Sequence, residues 1–389
     1  MMMRRIIISN GAQYHTPFQV NEIFKNGISG KYITGIPKQK VSSLIAYASN
    51  GDVVCLYNYI VIFKVLSRIF PNFHNYLNYL SHQSFDWIAS KHIDKCDIFH
   101  SFNGYALKSF EKLKTLNNGA IKIVECGIHP RYYAEVCNEE YKRYGSSKKS
   151  LFDDYVEKSE LEFQQADYIL TLTNICVKSF IQNGIDENKI ISIPLGADVS
   201  SFSQSKSKNK QFTILYVGRV TILKGVQYLL EACDKMENLG FDFKLNIIGP
   251  ITDLIIKKEL NKYKAKKWLN IIGKVSRNNL KNYYSEAHVM VLPSLVDSFG
   301  MVVYESLACK TAVIITENVG APIIKNEFGF IVPIRDSDSI VYNLIHMYEN
   351  IEETILMGER GYKYVIKRTW AEYGNKIIDL YNNLTGYTL

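Results

Sequence analysis

Asp297 and Glu305 stand eight positions apart around Phe299-Gly300. An apolar run ending at Leu292 precedes them, and a helical pattern over 299–309 follows. A strand end, a glycine and a helix N-terminus together make a place for an anion, since the first N–H groups of a helix lack partners within it. Carboxylates at its flanks can hold hydroxyl groups. The combination suits a sugar attached to a diphosphate. Asp297 could instead cap the helix near Ser298, and Glu305 could be an exposed helix residue. The apolar neighbours Val302, Val303, Leu307 and Ala308 favour a buried or cleft-facing Glu305.

A second cluster lies upstream. Gly218-Arg219 and Lys224-Gly225 follow the apolar run Phe212–Val217. Strand, glycine, cation, short loop, cation and helix form a phosphate-binding layout. Backbone approaches closely at the glycine, Arg219 can pair with phosphate oxygens as a fork, and Lys224 adds a point charge. A solvated basic loop is the alternative. Each cluster is weak alone, and together they support one another.

These residues need a frame. In the second half, strands are expected at 212–217, 243–248, 269–272, 288–292, 312–316 and 329–332. Helices are expected at 225–236, 253–266, 277–287 and 299–309. Short apolar runs alternating with amphipathic helices indicate a parallel sheet covered on both faces. That is a doubly wound α/β domain, with ligands at the carboxyl ends of its strands. The first half repeats the rhythm loosely, with strands at 5–9, 97–101, 121–125, 168–173 and 190–193 and helices at 105–116 and 153–166. Residues 200–210 are polar and aperiodic, so the domains are drawn at 1–203 and 204–369. Tyr373, Ile377, Leu380, Tyr381 and Leu384 have helical spacing, and the helix at 370–389 is expected to pack back on the first domain.

With these residues in place, 212–333 resembles the donor domain of glycosyltransferase family 4 (group 1), retaining enzymes of the GT-B fold. The matching residues are Gly218, Arg219, Lys224, Pro293, Ser294, Asp297, Phe299, Gly300 and Glu305. Residues 190–198, Ala166-Asp167 and Phe99-His100-Ser101 are similar to that family in the first half. The resemblance implies two Rossmann-like α/β domains facing across a cleft. It implies transfer of a sugar, with retention, from a nucleotide-diphosphate sugar to an acceptor hydroxyl, in bacterial polysaccharide or glycolipid assembly. Arg219 and Lys224 would bind the donor diphosphate and stabilise the leaving phosphate. Gly218, Phe299, Gly300, Met301 and Val302 would line the donor, with backbone N–H groups offered at 299–301. Asp297 would hold sugar hydroxyls, and Glu305 the nucleotide ribose. No metal or other cofactor is expected if Arg219 and Lys224 supply the charge.

Ser9-Asn10-Gly11-Ala12 follows the first strand, and Gly11 is expected to approach the donor or acceptor. The resemblance assigns His129, in the loop after 121–125, to orienting their hydroxyls from the opposite lobe. A loop histidine without a catalytic role is the alternative. His100, ending a strand, reads as structural, and His15 and Thr16 are left undecided between cleft and core. Three departures bear on donor identity. Asp297 stands where glutamate is usual, Cys309-Lys310-Thr311-Ala312 where glycine and then proline are usual, and Gly320-Ala321-Pro322-Ile323 lacks an acid often found just after.

The bulk properties exclude some classes. The chain has 389 residues, 47% hydrophobic and 22% charged, as in a globular protein of two domains. A net charge of +8 is modest for this length and argues for anionic small substrates or a membrane surface over nucleic acid. Seven scattered cysteines without a C-x-x-C pair indicate a reducing, cytoplasmic setting. Asp336-Ser337-Asp338 resembles a metal motif but opens a helix, so capping is expected. Residues 59–87 are apolar and aromatic, with Lys64 and Arg68. They are a candidate peripheral contact with the inner membrane, toward a sugar or lipid-linked glycan acceptor. A core-facing helix is the favoured alternative. A nucleotide-sugar epimerase and a non-catalytic sugar-binding protein remain as competing functions.

Overall fold

The computed structural model describes residues 5–116, 119–199 and 201–386. Two parallel sheets organise it. The first has seven strands: β1 (Ile6–Asn10), β2 (Gly30–Thr34), β3 (Asp52–Cys55), β4 (Ile98–Phe102), β5 (Ile121–Glu125), β6 (Tyr168–Thr171) and β7 (Ile190–Ser192), in the order β3-β2-β1-β4-β5-β6-β7. The second has six: β8 (Phe212–Val217), β9 (Phe243–Ile248), β10 (Leu269–Gly273), β11 (Val289–Leu292), β12 (Ala312–Thr316) and β13 (Gly329–Val332), in the order β10-β9-β8-β11-β12-β13. In both sheets the order reverses beside the first strand, between β1 and β4 and between β8 and β11. The loops leaving those strands diverge and open a crevice, which is where ligands bind in such folds.

Parallel strands require crossovers, and the helices that supply them cover both faces. Side-chain alternation sends Ile7, Ile33, Phe99, Val124 and Ile169 into one buried cluster of the first lobe. Ile6, Ile8, Tyr32, Ile98, Ile123 and Leu170 go into the other. Every residue of β1, β4, β8, β11 and β12 is buried.

The strands β5, β8, β9, β12 and β13 occupy the expected residues. Residues 59–87 differ from a single amphipathic helix. They form two, Tyr57–Ile69 and His74–Ser90, broken at Phe70-Pro71, where the residue before proline leaves helical geometry. In the first of these only Ile60 and Ser67 are buried. Tyr59, Ile62, Val65 and Ile69 face outward, followed by exposed Phe70, Phe73 and Tyr76. Among the described residues no helix is long and apolar enough to cross a membrane.

Contacts at several places bring the lobes together. Thr173 Oγ1 and Cys176 Sγ donate to the Ser298 carbonyl at 3.0 and 3.3 Å. At the same place Gly127 lies so close to Ser298 that a Cβ there would approach the Ser298 Cβ to 2.7 Å. On the other flank, buried Glu140 accepts from Gln227 Nε2 (2.9 Å), Tyr228 Oη (2.8 Å) and Arg335 Nε (2.7 Å). The last helix, Trp370–Thr385, lies against the Thr16–Lys25 helix, with Trp370 stacked on Phe18 at 4.2 Å.

Candidate functional site

The loops after β8 and β11 meet through an ion pair. Lys224 Nζ is 2.5 Å from Asp297 Oδ2. The other oxygen, Asp297 Oδ1, accepts from Gly300 N (2.9 Å) and Phe299 N (3.3 Å). Asp297 therefore organises the entry to the Met301–Ala308 helix as well as holding the lysine, and two N–H groups expected to face the ligand are turned on its carboxylate. Gly300 occupies the left-handed region at φ +73°, a conformation glycine adopts without strain. Gly225, after the lysine, is at φ +69° and packs on the Pro293 carbonyl, where a Cβ has no room. Arg219 is exposed beside Gly218, and Tyr216 Oη donates to its carbonyl at 2.8 Å.

Around this loop lie three adjoining cavities. Arg219, Lys224, Lys148, Asp253, Asp297 and Ser298 line one of 550 Å³, with three cations and two carboxylates on its walls. Asp297 and Ser298 also line a second of 520 Å³, with Phe299, Gly300 and Met301 on one wall and Tyr14, His15, Phe102, Glu125 and Tyr155 on the other. Met301 and Trp370 lead to a third, of 160 Å³, lined by Glu305, Arg277, Asp198 and Phe202. The motif from Asp297 to Glu305 thus runs past all three. Burial raises the Glu305 carboxyl above its ordinary range, partly offset by a hydrogen bond from Tyr284 Oη at 3.0 Å. Val302 is half-buried and packs against the core. Gly11 lines a neighbouring cavity of 440 Å³ within the first lobe, with Tyr79, His82, Tyr105 and Tyr155.

His129 corrects the expectation of a cleft-facing histidine. It is 1% exposed and wedged against Phe163 and Phe180, at 5.4 and 5.2 Å between ring centres. Its Nδ1 accepts from Arg131 N, which makes it the N-cap of the Pro130–Arg143 helix. Burial pulls its pKa down to about 4, so it stays neutral. The reason is local: a residue just before Pro130 at a helix start is well placed to cap it, and the capping geometry turns the ring inward.

His15 holds the position expected of His129. It follows β1 at the sheet's reversal point and lines the central cavity, with its Nε2 beside a Glu125 carboxylate oxygen. Glu125 ends β5 and is 2% exposed, and His100 Nε2 lies 3.3 Å from its second oxygen. Burial opposes ionisation of Glu125, but the two imidazoles, His15 first, outweigh it and bring the carboxyl down to about 2. The signal available was His15-Thr16-Pro17, a helix start directly after the first strand, and Glu125 as a charge ending an apolar run. Among the described residues no group of three or more histidines, cysteines and carboxylates could hold a metal ion. Asp336 caps its helix through Ser339 N at 2.8 Å.

Two Rossmann-like lobes with a cationic loop and a carboxylate loop at their shared cleft define the GT-B architecture. Residues 199–364 match the family described as glycosyl transferases group 1. One relative is the putative colanic acid biosynthesis glycosyltransferase WcaL of Escherichia coli, 23% identical over 51% of this chain and 52% of that one. The chain spans about half the length of the curated relatives it matches. In fold it is similar to sucrose-phosphate synthase of Thermosynechococcus elongatus, with a TM-score of 0.72 at 16% identity over 98% of this chain and 99% of that one. It is similar also to HepE of Anabaena, solved with UDP and glucose, with a TM-score of 0.67 at 12% identity over 98% of this chain and 100% of that one.

Proposed function

We propose that the protein is a retaining glycosyltransferase that moves a sugar from a nucleotide-diphosphate sugar to an acceptor hydroxyl. The observation that carries this reading is the Lys224–Asp297 pair, which stands where the chamber holding Arg219 meets the central cavity. A diphosphate beside Arg219 and Lys224 would leave the sugar against Asp297 and Met301. As the glycosidic bond breaks, charge grows on the departing diphosphate, and fixed cations aimed at it lower the barrier. These cations make a metal unnecessary in this proposal. Attack and departure on the same face of the sugar would give retention. The HepE neighbour with UDP and glucose makes UDP-sugars the first donors to try, and the colanic acid name of the WcaL relative supports a role in surface polysaccharide synthesis.

The outward apolar face of Tyr57–Ile69 and its joint supports a peripheral contact with a membrane on the cytoplasmic side, and through it a lipid-linked acceptor. No aspartate or glutamate occurs between Asp52 and Asp86, while Lys64 and Arg68 do, a pattern suited to anionic lipid. Flotation with phosphatidylglycerol vesicles tests this: protein left at the bottom of the gradient rules the contact out. Titration calorimetry against UDP-, GDP- and ADP-sugars tests the function itself. Binding of one class, lost in Lys224→Ala, is expected, and no binding of any would sink the reading.

A further inference from the structure

We propose that the 440 Å³ cavity of the first lobe holds the acceptor, and that this acceptor is a sugar bearing an anionic group, which Lys64 reads. The proposal rests on the glycosyltransferase reading above and names the acceptor class for it.

The cavity is in the right place. Tyr14 and Tyr155 line it and also the central cavity, where Asp297 and Met301 stand. Asn75 lines it and also the chamber that holds Arg219 and Lys224. Its occupant therefore adjoins both the sugar and the diphosphate of a donor, from the opposite lobe. The volume is that of a small-ligand site, typically about 300–1,000 Å³. Gly11 shapes the floor. A Cβ there would stand 2.4 Å from Tyr105 Cε1, so the loop after β1 settles on that ring because residue 11 has none.

The walls suit a sugar. Tyr79 and Phe152, with ring centres 5.5 Å apart, offer aromatic surface to the C–H face of a pyranose, and the amides of Asn75 and Asn78 can bind its hydroxyls. Tyr79 Oη accepts from Gln83 Nε2 at 2.7 Å, which leaves its own proton to donate.

The charge selects an anion. Among the lining residues Lys64 is the one cation, and there is no carboxylate. His82 adds no charge, since burial first, and then Lys158 and Lys64, bring its pKa down to about 3. Among the described residues Lys64 makes no ion pair, and its ammonium lies 5.4 Å from the centre of the Tyr57 ring. Helical spacing sets its direction. Ile60, Lys64 and Ser67 recur at four and three residues, so the lysine shares a stripe with the two buried residues of its helix. Ile62, Val65 and Ile69 take the outward face. Partial desolvation lowers the Lys64 pKa, a cost that an anion beside it offsets. A lysine is a point charge, so a phosphate ester and a carboxylate both satisfy it.

The test is saturation-transfer NMR on the full chain without vesicles. The probes are glucose, galactose and N-acetylglucosamine 1-phosphates, glucuronate and galacturonate, each against the neutral methyl glycoside of its parent sugar. At least one anionic probe should bind roughly tenfold or more tightly than its neutral partner. Lys64→Met should remove that preference, Lys64→Arg should keep it, and Tyr79→Ala should weaken anionic and neutral probes alike. The phosphate and carboxylate arms show which anion the site takes. Nucleotide-sugar affinity should stay within about twofold in Lys64→Met. Binding of the anionic probes that survives Lys64→Met and is lost in Lys224→Ala places them in the donor chamber and overturns the proposal. So does a Lys64→Met protein that binds them as wild type but no longer floats with phosphatidylglycerol vesicles, which assigns the lysine to lipid headgroups. A wild type that binds a nucleotide sugar but no anionic probe overturns the proposal alone, and one that binds no nucleotide sugar overturns the glycosyltransferase reading.

Discussion

Lys224 Nζ and Asp297 Oδ2 lie 2.5 Å apart, so the first cation-bearing loop of the second lobe and its carboxylate loop are one unit. Asp297 has two separable tasks, since one oxygen holds the lysine and the other caps Phe299 and Gly300. Asp297→Asn keeps an oxygen for the cap and gives up the charge. It should hold stability to within about 0.5 kcal/mol, whereas Asp297→Ala should lose about 1 kcal/mol. Urea unfolding of both variants checks the cap, and donor calorimetry on the same samples checks the charge.

Lys224→Ala removes the cation and leaves the fold. The pair is partly exposed, at 23% and 19% for the two side chains, so its share of stability is small. Transfer should fall by roughly 100- to 1,000-fold, as for loss of one preorganised charge at a developing anion. Equal turnover in variant and wild type would remove Lys224 from the site.

How legible this was depended on how local the signal is. The second lobe could be read because β8, β9, β12 and β13 are apolar runs bounded by loops, the first three fully or largely buried. β2 and β3 were missed: Gly30-Lys31-Tyr32-Ile33-Thr34 and Asp52-Val53-Val54-Cys55 are short, start with glycine or a charge, and lie toward one edge of the sheet. The donor-side residues are contiguous in sequence, so their motif survived. The wall opposite is assembled from His15, Glu125 and Trp370, far apart in the chain. Only the topology, which puts β1, β4 and β5 side by side, brings His15, His100 and Glu125 together. The burial of His129 was hidden for the same reason, since Phe163 and Phe180 come from other helices.

Acid should unfold the protein through its buried histidines. Burial lowers His129 and His288 to about 4 and His82 to about 3, from an ordinary 6.5. The folded state keeps them neutral where the unfolded chain already binds protons. Their stabilisation is complete above 6.5 and is lost as pH falls through that value toward 4 and 3. Glu125 adds a lower window, complete above its ordinary 4.5 and lost toward about 2. Urea midpoints measured from pH 7 to pH 4 should decline throughout. His129→Asn, which can still cap the helix, should flatten the slope, and an unchanged slope would mean His129 titrates normally.

Lys310 is a lysine in a glycine's conformation. It follows the Met301–Ala308 helix at φ +55°, where the left-handed turn crowds a Cβ. Its ammonium makes long contacts, 3.8 Å to Glu359 and 5.7 Å to the centre of the Tyr362 ring. Lys310→Gly should therefore raise stability by about 0.5–1 kcal/mol, strain relief outweighing the added freedom of the unfolded chain. A lower melting temperature in the variant would show that the lysine side chain matters more than its backbone.

Glu140 is the strongest candidate for holding the lobes closed. It is fully buried on the Pro130–Arg143 helix of the first lobe, and its three partners, Gln227, Tyr228 and Arg335, all belong to the second. Removing one member of a buried pair leaves an uncompensated charge, a loss of about 3–5 kcal/mol, while replacing both members costs much less. Arg335→Met should therefore destabilise the closed protein strongly. Glu140→Gln with Arg335→Met should recover much of the loss, because an amide can still accept from Gln227 and Tyr228 without a charge to compensate. Unfolding in urea measures the cycle. Small-angle scattering separates opening from unfolding: an enlarged radius of gyration in Arg335→Met, with secondary structure intact by circular dichroism, is the expected result. The same radius in both proteins, with additive losses in stability, would show that Glu140 and Arg335 act independently of lobe closure.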